Sequence, residues 1–307
     1  MDKNAVRAAQ VLMISLVVAR GVSFMFSKTL LVDMGPLTLL GIRFSLAFLV
    51  LFVVFFKRVI TEIQKDKKIL SASLALGAAY FICMTCELIG LQYTSSSTCA
   101  FLENSAIVIV PILEAVLIRK FPSLKVILSC AITSIGIGMI TLSGGIQSFG
   151  LGEFLCCIAA FAFASAIILN DRCTRRHDAF SIGIVHVGFI GIAALLAAFI
   201  FEAPHLPQTG TQWMMLLMLT LICTCLGFTL QPVAQKKISA QTAGVMFGLN
   251  PLTAAICGWI FMKEAMTPIG IIGGILVIIG IIVTMVFSAF FSGMEIAFVT
   301  SNRMLAE

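Results

Sequence analysis

The stretch from Ser97 to Ile118 reads STCAFLENSAIVIVPILEAVLI and decides what kind of fold this chain adopts. As an α-helix, its roughly 22 residues rise about 33 Å, which matches the roughly 30 Å of hydrocarbon in a bilayer. The stretch also carries Glu103 and Glu114, which helical periodicity brings back to nearly the same face. Asn104 and Pro111 add polar and backbone irregularity, which at membrane depth normally faces a cavity or another helix. The stretch therefore predicts a membrane helix that lines a path.

The composition of the chain is that of a polytopic membrane protein. Of the 307 residues, 60% are hydrophobic and 11% are charged, and the mean hydropathy is +1.10. An ordinary soluble domain has roughly a quarter of its residues charged. The first apolar run is long enough to span a bilayer and lacks a signal-cleavage pattern, so we expect it to be retained as a membrane helix.

Ten apolar runs are each long enough to cross a bilayer, and turn-forming residues separate them. The connections between the runs are too short for a soluble domain. The runs lie near residues 8–31, 36–56, 69–92, 96–118, 124–142, 151–171, 180–201, 212–233, 241–262 and 268–291. We therefore predict an all-α integral membrane protein with ten transmembrane helices.

The positive charges are distributed unevenly between the two sides of the predicted membrane. Of the 20 Lys and Arg residues, Arg20 and Arg43 lie inside spans, and Lys28 and Lys263 lie in connections on one side. The other sixteen lie on the opposite side. Because Lys and Arg accumulate in cytoplasmic loops, we predict that both termini are cytoplasmic. The asymmetry also accounts for the net charge of +6, so a nucleic-acid partner is not predicted.

A shift of 144 residues superposes the two halves of the chain. It brings the spans into register, one onto six and so on, and places Glu87 on Gln231. Since five spans is an odd number, the second half enters the membrane from the opposite side, which predicts an inverted repeat. The predicted boundaries are 1–145 for the first five-helix repeat, 146–291 for the second, and 292–307 for a short cytoplasmic tail.

Several segments resemble one family. Residues 241–264, QTAGVMFGLNPLTAAICGWIFMKE, and residues 267–274 resemble the ninth and tenth helices of EamA-type proteins in the drug/metabolite transporter superfamily. Ala100-Phe-Leu-Glu-Asn, Val110-Pro-Ile-Leu and Gly41-Ile-Arg-Phe-Ser-Leu-Ala resemble first-half segments of the same family. The resemblance implies ten helices in a 5+5 inverted repeat around a central cavity. It leaves the substrate open, because members move amino acids, nucleotide sugars, vitamins and drugs.

The sequence departs from the family pattern at two places and adds a second resemblance at its end. Asn250 stands where an acid often precedes the ninth-helix proline, and Ala19-Arg20-Gly21 stands where a Trp-Gly pair is common. Residues 287–303 resemble the opening of the CorC/cyclin-M transmembrane domain, including its Ser-Gly-x-Glu motif. Because only this short segment matches, we interpret it as a fusion junction or chance rather than a magnesium site.

Several intramembrane polar side chains share one depth. Arg43, Glu87 and Glu103 each lie about six or seven residues from the outer end of a span, and so about 9–11 Å deep. Other polar residues occupy single faces of the neighbouring helices, which predicts a polar cavity between them. The candidate substrate-binding or coupling residues are Arg20, Arg43, Tyr80, Glu87, Glu103, Asn104, Gln231, Asn250 and Trp259.

Some of these residues also have a purely structural interpretation. Arg43 either neutralises Glu87 or Glu103 so that insertion is tolerable, or it binds substrate. Glu114 either pairs with the nearby Arg119 or belongs to the path. A packed, neutral side chain is the expected state of His186. Both interpretations of Arg43 and Glu114 stay open at this point.

The pattern favours a secondary active transporter, above all an exporter of amino acids or related zwitterions. Arg20 and Arg43 would hold a substrate carboxylate while Glu87 and Glu103 hold its ammonium group. The alternatives are a transporter of a vitamin, nucleobase or drug-like cation, and, from another class, a non-transporting scaffold or a lipid flippase-like accessory.

The sequence also predicts the surroundings of the protein. We expect a multi-pass protein of a bacterial inner membrane, in contact with lipid and a small-molecule substrate, with protons as the candidate coupling ion. The choice between monomer and homodimer is open. An enzyme is not expected, because the sequence has no metal-ligand cluster, nucleophile–base set or phosphate loop, and neither a cofactor nor a bound metal is predicted.

Overall fold

The computed structural model describes residues 3–94, 96–119, 121–122, 124–142, 150–262 and 268–283, and within these ranges the chain is helical with turns and no strand. The helices are α1 (Lys3–Leu30), α2 (Pro36–Lys65), α3 (Lys68–Tyr93), α4 (Ser96–Asn104), α5 (Ala106–Ile118), α6 (Leu124–Leu142), α7 (Leu151–Arg176), α8 (Ala179–Phe201), α9 (Gly210–Met218), α10 (Gly227–Gln235), α11 (Ala240–Met246) and α12 (Leu249–Met262). A π-helical segment, Leu219–Leu226, joins α9 to α10, and a further apolar helix covers Pro268–Val283.

Seven helical segments in the described ranges are long and apolar enough to cross a membrane. They are Ala5–Leu30, Pro36–Lys65, Lys68–Tyr93, Thr98–Ile118, Leu151–Arg176, Ala179–Phe201 and Gly210–Gln235. Two other apolar helices, Val126–Met139 and Pro268–Val283, are shorter. The all-helical, multi-pass membrane class is therefore confirmed, while the ten-span inverted arrangement stays a prediction.

Local sequence signals set several helix starts. Pro36 stands in the first turn of α2, where its missing N–H costs no helical hydrogen bond. The Asp178 carboxylate caps α8 by accepting from the Ser181 N–H at 2.8 Å. At the start of α9, Thr209 and Gln212 form a reciprocal capping box. These caps satisfy N–H groups that the helices leave without an internal partner.

Two of the predicted spans are interrupted. The run at 96–118 is split by a turn at Ser105, so Glu103 ends one helix and Glu114 belongs to the next. Both segments belong to one membrane-length run, Thr98–Ile118, whose backbone stays in the helical region at Ser105. The run at 241–262 breaks at Phe247 and Gly248. Pro251 lacks an N–H and its ring crowds the carbonyl four residues earlier, which explains the second break.

The helices pack so that the buried polar residues meet in one region. Helix α2 packs along α8, α3 packs along α7, and α1 packs against α12 and α10. Many large apolar side chains point outward instead, as a lipid-facing surface requires. The buried charges of α1, α3 and α4 thus face α7 and α10, and the site is built there.

Candidate functional site

A buried arginine and two buried glutamates form the centre of the candidate site. Arg20 comes from α1, Glu87 from α3 and Glu103 from α4. Arg20 Nη2 donates to Glu103 Oε1 at 2.5 Å and to Glu87 Oε2 at 3.4 Å. The three residues are only 8%, 5% and 0% exposed, in the order Arg20, Glu87, Glu103. Because an unpaired charge inside a membrane costs several kcal/mol, the contact with Arg20 lowers the cost of burying an acid, and its single positive charge balances one of the two carboxylates.

Two phenylalanines flank the guanidinium of Arg20. Its Cζ lies 4.6 Å from the ring centroid of Phe163 on α7 and 5.6 Å from that of Phe228 on α10. A cation within about 6 Å of a ring centroid is attracted by the ring, by up to about 2 kcal/mol in a desolvated site. Arg20 therefore joins the acids of the first half to the aromatic side chains of the second half.

Arg43 does not pair with either acid, although the sequence left that interpretation open. Its Nε donates to Thr224 Oγ1 at 2.5 Å. Thr224 lies in the π-helical segment, where its hydroxyl donates to the Leu219 carbonyl oxygen at 3.0 Å, five residues back. The physical reason is position, because α2 packs on α8 and on this π-helical segment. Arg20 contacts both acids instead.

A line of buried polar side chains leads away from the centre. Gln231 Nε2 donates to the Tyr80 hydroxyl at 2.5 Å and lies 3.4 Å from Gln235 Oε1. Gln235 Oε1 also accepts from Asn170 Nδ2. His186, expected to be packed, is fully buried, with its ring centroid 5.6 Å from that of Tyr80. The line connects α3, α10 and α7, so it ties the two halves together beside the site.

A small cleft opens next to Arg20. Its empty space, including the open mouth, is about 240 Å³. The part of this space that is wide enough for a molecule holds about one water, so this conformation is closed around the site. The lining residues are Met13, Leu16, Arg20, Cys223, Gly227, Phe228, Gln231 and Phe247.

Several buried polar atoms around the centre lack a hydrogen-bond partner among the described residues. They include Arg20 Nε, Glu103 Oε2, Asn104 Oδ1 and both side-chain polar atoms of Asn250. Asn104 Nδ2 is satisfied by the Ala100 carbonyl oxygen at 2.7 Å. Since buried polar atoms are normally bonded, these donors and acceptors are available to a ligand or to water.

Cys83 places a sulfur next to the two acids. The Cys83 thiol and the carboxylates of Glu87 and Glu103 have ligand atoms within 4.8 Å of one another, close enough to hold a metal ion. Cys83 Sγ lies 3.7 Å from Glu103 Oε1. Arg20 already supplies positive charge to the same oxygens, so a metal ion would compete with it. The geometry favours the ion pair, and the absence of a metal site stays a prediction.

Comparison with known proteins identifies the family. The sequence profile of the EamA-like transporter family matches residues 7–142 and, a second time, residues 150–286. This chain belongs to the EamA-like transporter family. The predicted resemblance to EamA-type proteins is thereby confirmed, and the protein is a membrane transporter by family.

Individual relatives of this EamA-like transporter agree. The uncharacterized transporter YetK of Bacillus subtilis (strain 168) is 26% identical over 257 residues, covering 80% of this chain and 77% of YetK. The threonine/homoserine exporter RhtA of Escherichia coli (strain K12) is 30% identical over 86 residues, only 26% of this chain and 29% of RhtA. A crystal structure with 12% sequence identity has the same fold, with a TM-score of 0.77 over 94% of this chain and 99% of that one.

Two sequence-predicted positions of the transporter lie away from the Arg20 centre. Trp259 is 56% exposed, so it faces outward from the helix bundle instead of lining the cleft. Glu114 has Asp171, Arg172 and Arg175 of α7 among its charged neighbours. Glu114 lies away from the centre because eleven residues of helix separate it from Glu103, a rise of about 16 Å. The tail resemblance at 287–303 lies outside the described residues.

Sequence reasoning did not identify the aromatic side chains that enclose Arg20. Phe163 and Phe228 are two of 25 phenylalanines, and each stands in an apolar run without a local signal. Phe247, at the end of α11, lines the cleft. Only the three-dimensional packing distinguishes these rings from phenylalanines that face lipid.

Proposed function

We propose that this EamA-like transporter is a secondary active transporter that exports small polar metabolites, above all amino acids or related zwitterions. The observation that carries the proposal is the buried pair of Arg20 with Glu103 and Glu87 beside a small cleft. Both signs of charge are thus present at one place, inside a protein of a transporter family.

The open hydrogen-bonding positions of the centre match the two ends of a zwitterion. Arg20 Nε is a donor without a partner, and a guanidinium is well shaped to bind a carboxylate. Glu103 Oε2 is an acceptor without a partner, which suits an ammonium group. Phe228 and Phe247 supply apolar surface for a substrate side chain. A purely cationic or purely anionic substrate would use only one of the two positions.

Relatives lend limited support to amino-acid export. RhtA is by name an exporter of threonine and homoserine, and the similarity spans 86 residues. We take export of amino acids as the working hypothesis and treat protons, exchanged at Glu103, as the candidate coupling ion.

The helix contacts support an inverted repeat with ten spans. Under the shift of 144 residues, α1 corresponds to α7, α3 to α9 and α10, and α4 and α5 to α11 and α12. Contacts then occur in matching pairs: α3 with α7 and α10 with α1, and likewise α12 with α1 and α5 with α7. The shift also places α2 on α8, so the contact between these two helices corresponds to itself. This exchange of partners is expected of two halves related by a two-fold axis. Transporters with alternating access are built on such a symmetry.

Topology is tested with reporters. The charge distribution predicts that both termini are cytoplasmic and that the connection containing His205 is extracytoplasmic. A reporter active only outside the cytoplasm should be silent when fused after Arg303 and active when inserted beside His205. Activity after Arg303 would contradict the proposed orientation.

The substrate class is tested by binding and by flux. A ligand that binds the folded state raises the apparent melting temperature, so the purified protein should be stabilised by a subset of amino acids. The same amino acids should drive counterflow in proteoliposomes. Stabilisation and counterflow with vitamins, nucleobases or cationic drugs alone would replace the proposed substrate, and no flux with any of these classes would favour a scaffold.

A further inference from the structure

Helices α2 and α8 form an antiparallel seam between the two halves of the protein. The start of α2 meets the end of α8, and the end of α2 meets the start of α8. The seam borders the site, because Arg43 lies on α2 and His186, beside Tyr80, lies on α8. Movement at either end of this seam therefore changes access to the site.

One end of the seam, here called the Glu202 end, is held tightly. Glu202 Oε1 accepts from the Leu37 N–H at 2.9 Å, and Glu202 Oε2 accepts from the Thr38 N–H at 2.8 Å and the Thr38 hydroxyl at 2.7 Å. A carboxylate at a helix N-terminus is favoured both by these orphan donors and by the helix dipole. This end of α2 is thus anchored by three charge-assisted hydrogen bonds.

The helices next to the Glu202 end touch backbone to backbone. A Cβ added at Gly41 would lie 2.9 Å from the Leu195 backbone nitrogen, and one added at Gly191 would lie 2.6 Å from the Ser45 backbone nitrogen. Such an approach is open only to glycine. Separating the helices here would remove close packing as well as hydrogen bonds.

The opposite end, here called the Arg58 end, is held loosely. Arg58 Nη2 lies 3.7 Å from Asp178 Oδ1, and these side chains are 55% and 27% exposed. The Arg58 Cζ lies 4.4 Å from the Phe180 ring centroid, and Asp66 is hydrogen-bonded to His177. That hydrogen bond lowers the pKa of the Asp66 carboxyl below its usual value, which keeps Asp66 charged. The Arg58–Asp178 ion pair is long and exposed, so it is weak because water and salt screen it.

A kink in α2 separates the Arg58 end from the glycine-packed part of the seam. Phe55 has φ −111° and ψ 18°, which is not helical. Sharp helix kinks are places where a helix can bend, so the segment after Phe55 has a hinge of its own. Arg58 and Asp66 both lie beyond that hinge.

The two ends occupy equivalent places in the two halves. Arg58 and Glu202 are 144 residues apart, which is the shift that superposes the halves. Each reaches the start of the partner helix, but Glu202 binds the backbone directly whereas Arg58 reaches the side chains of Asp178 and Phe180. The same position of the repeat thus forms a contact between α2 and α8 in each half, and the contact of Glu202 is the stronger of the two.

We propose that the Arg58 end is the gate that opens first: α2 beyond Phe55 swings away from α8, breaks the Arg58–Asp178 and Asp66–His177 contacts, and admits substrate from that side. The Glu202 end stays closed until substrate is bound. This proposal rests on the proposed transport function, and under the proposed topology the gate faces the cytoplasm, as loading of an exporter requires.

Electron-electron distance measurements on spin labels test the gate in the full-length protein in lipid nanodiscs. One label pair, at Gln64 and Arg176, reports on the Arg58 end, and the other, at Val32 and Leu206, reports on the Glu202 end. All four positions are exposed. Labels on a ketone-bearing non-natural amino acid leave the ten native cysteines in place.

We expect Arg58→Gln and Asp66→Asn each to add a longer-distance population to the Gln64–Arg176 pair, without changing the Val32–Leu206 pair. Lys57→Gln is the matched control, since it removes an adjacent exposed positive charge, and it should change neither pair. Unchanged Gln64–Arg176 distances in both variants, or lengthening at the Val32–Leu206 pair instead, would overturn the gate.

The readout also separates this proposal from the proposed function. Distances are measured without substrate, so a lengthened Gln64–Arg176 pair supports the gate even if the flux assays find no amino-acid transport. Normal amino-acid counterflow with unchanged distances in both variants rejects the gate alone.

Discussion

The two halves of the molecule place corresponding positions near Arg20 and give them different chemistry. Glu87 corresponds to Gln231 and Glu103 to Phe247 under the shift of 144 residues. Glu87 and Glu103 are buried charges paired with Arg20, whereas Gln231 and Phe247 are neutral side chains that line the cleft. The halves share a fold pattern, but the ionised groups of this site come from the first half.

This difference separates two tasks. In alternating access, a movement exposes the site to each side of the membrane in turn. That movement needs two halves of similar shape. Binding one substrate needs a single set of charges with fixed positions. The second half contributes aromatic side chains around Arg20, which exclude water and so strengthen the electrostatic attraction within the ion pair. The following variants test that division.

The largest effect is expected from Glu103→Gln. This change removes the acid that makes the shortest contact with Arg20 in the first half. The change removes a 2.5 Å charge-assisted contact with Arg20. Such a bond contributes about 1.5–3 kcal/mol, so transport should fall by at least about tenfold. In proteoliposomes we expect proton-driven transport to be lost and counterflow of substrate to be partly retained.

Glu114→Gln is the matched control for this variant, because it removes a carboxylate from the same predicted span outside the Arg20 centre. Its transport should stay near that of the unmodified protein. Unchanged transport and unchanged pH dependence in Glu103→Gln would show that Glu103 is neither a ligand nor a proton carrier, and this region of the protein would then be structural.

A smaller effect is expected from Glu87→Gln, which gives the first half the residue type found at the corresponding position of the second half. Glu87 Oε2 lies 3.4 Å from Arg20 Nη2, a longer contact than that of Glu103. We therefore expect a loss of several-fold, smaller than the loss in Glu103→Gln. Counterflow measured side by side decides the order, and a greater loss in Glu87→Gln would reverse the assignment of the two acids.

Arg43→Lys tests whether the second cation of the first half takes part in binding. Lysine keeps the positive charge but loses the planar fork that binds a carboxylate at two points. We expect weaker transport with normal expression, because the contact of Arg43 with Thr224 is a single hydrogen bond. Loss of folded protein, measured by gel filtration, would indicate that Arg43 has a structural role.

The sequence predicted the helices well because apolar runs determine them. The run at 69–92 is observed as Lys68–Tyr93 and the run at 180–201 as Ala179–Phe201. Breaks were harder to predict, because a turn such as that at Ser105 depends on packing and leaves no clear sequence signal. Glu87, Glu103 and Arg43 were expected at one depth from the rise per residue, and the two acids both contact Arg20 in the structure.

Pairing between helices was beyond the reach of the sequence. Arg20 and Glu103 are 83 residues apart, and nothing local shows that Arg20, and not Arg43, faces the acids. Rotation of each helix about its axis decides this, and that rotation is set by contacts with neighbouring helices. The same limit explains why Phe163 was not identified as a neighbour of Arg20.

The smallest effect is expected from Trp259→Leu, which tests whether every large aromatic residue of the second half serves the site. Trp259 is 56% exposed on the outside of the bundle, so leucine should retain its contact with lipid and change transport by less than about twofold. Phe163→Leu is the matched comparison, because it removes a ring 4.6 Å from the Arg20 guanidinium. A desolvated cation–π contact is worth up to about 2 kcal/mol, so that variant should lose transport by as much as about 30-fold. Both variants are measured by counterflow at matched protein density. Equal losses of transport would show that Trp259 enters the site in another conformation. The second half would then contribute more than the aromatic side chains around Arg20.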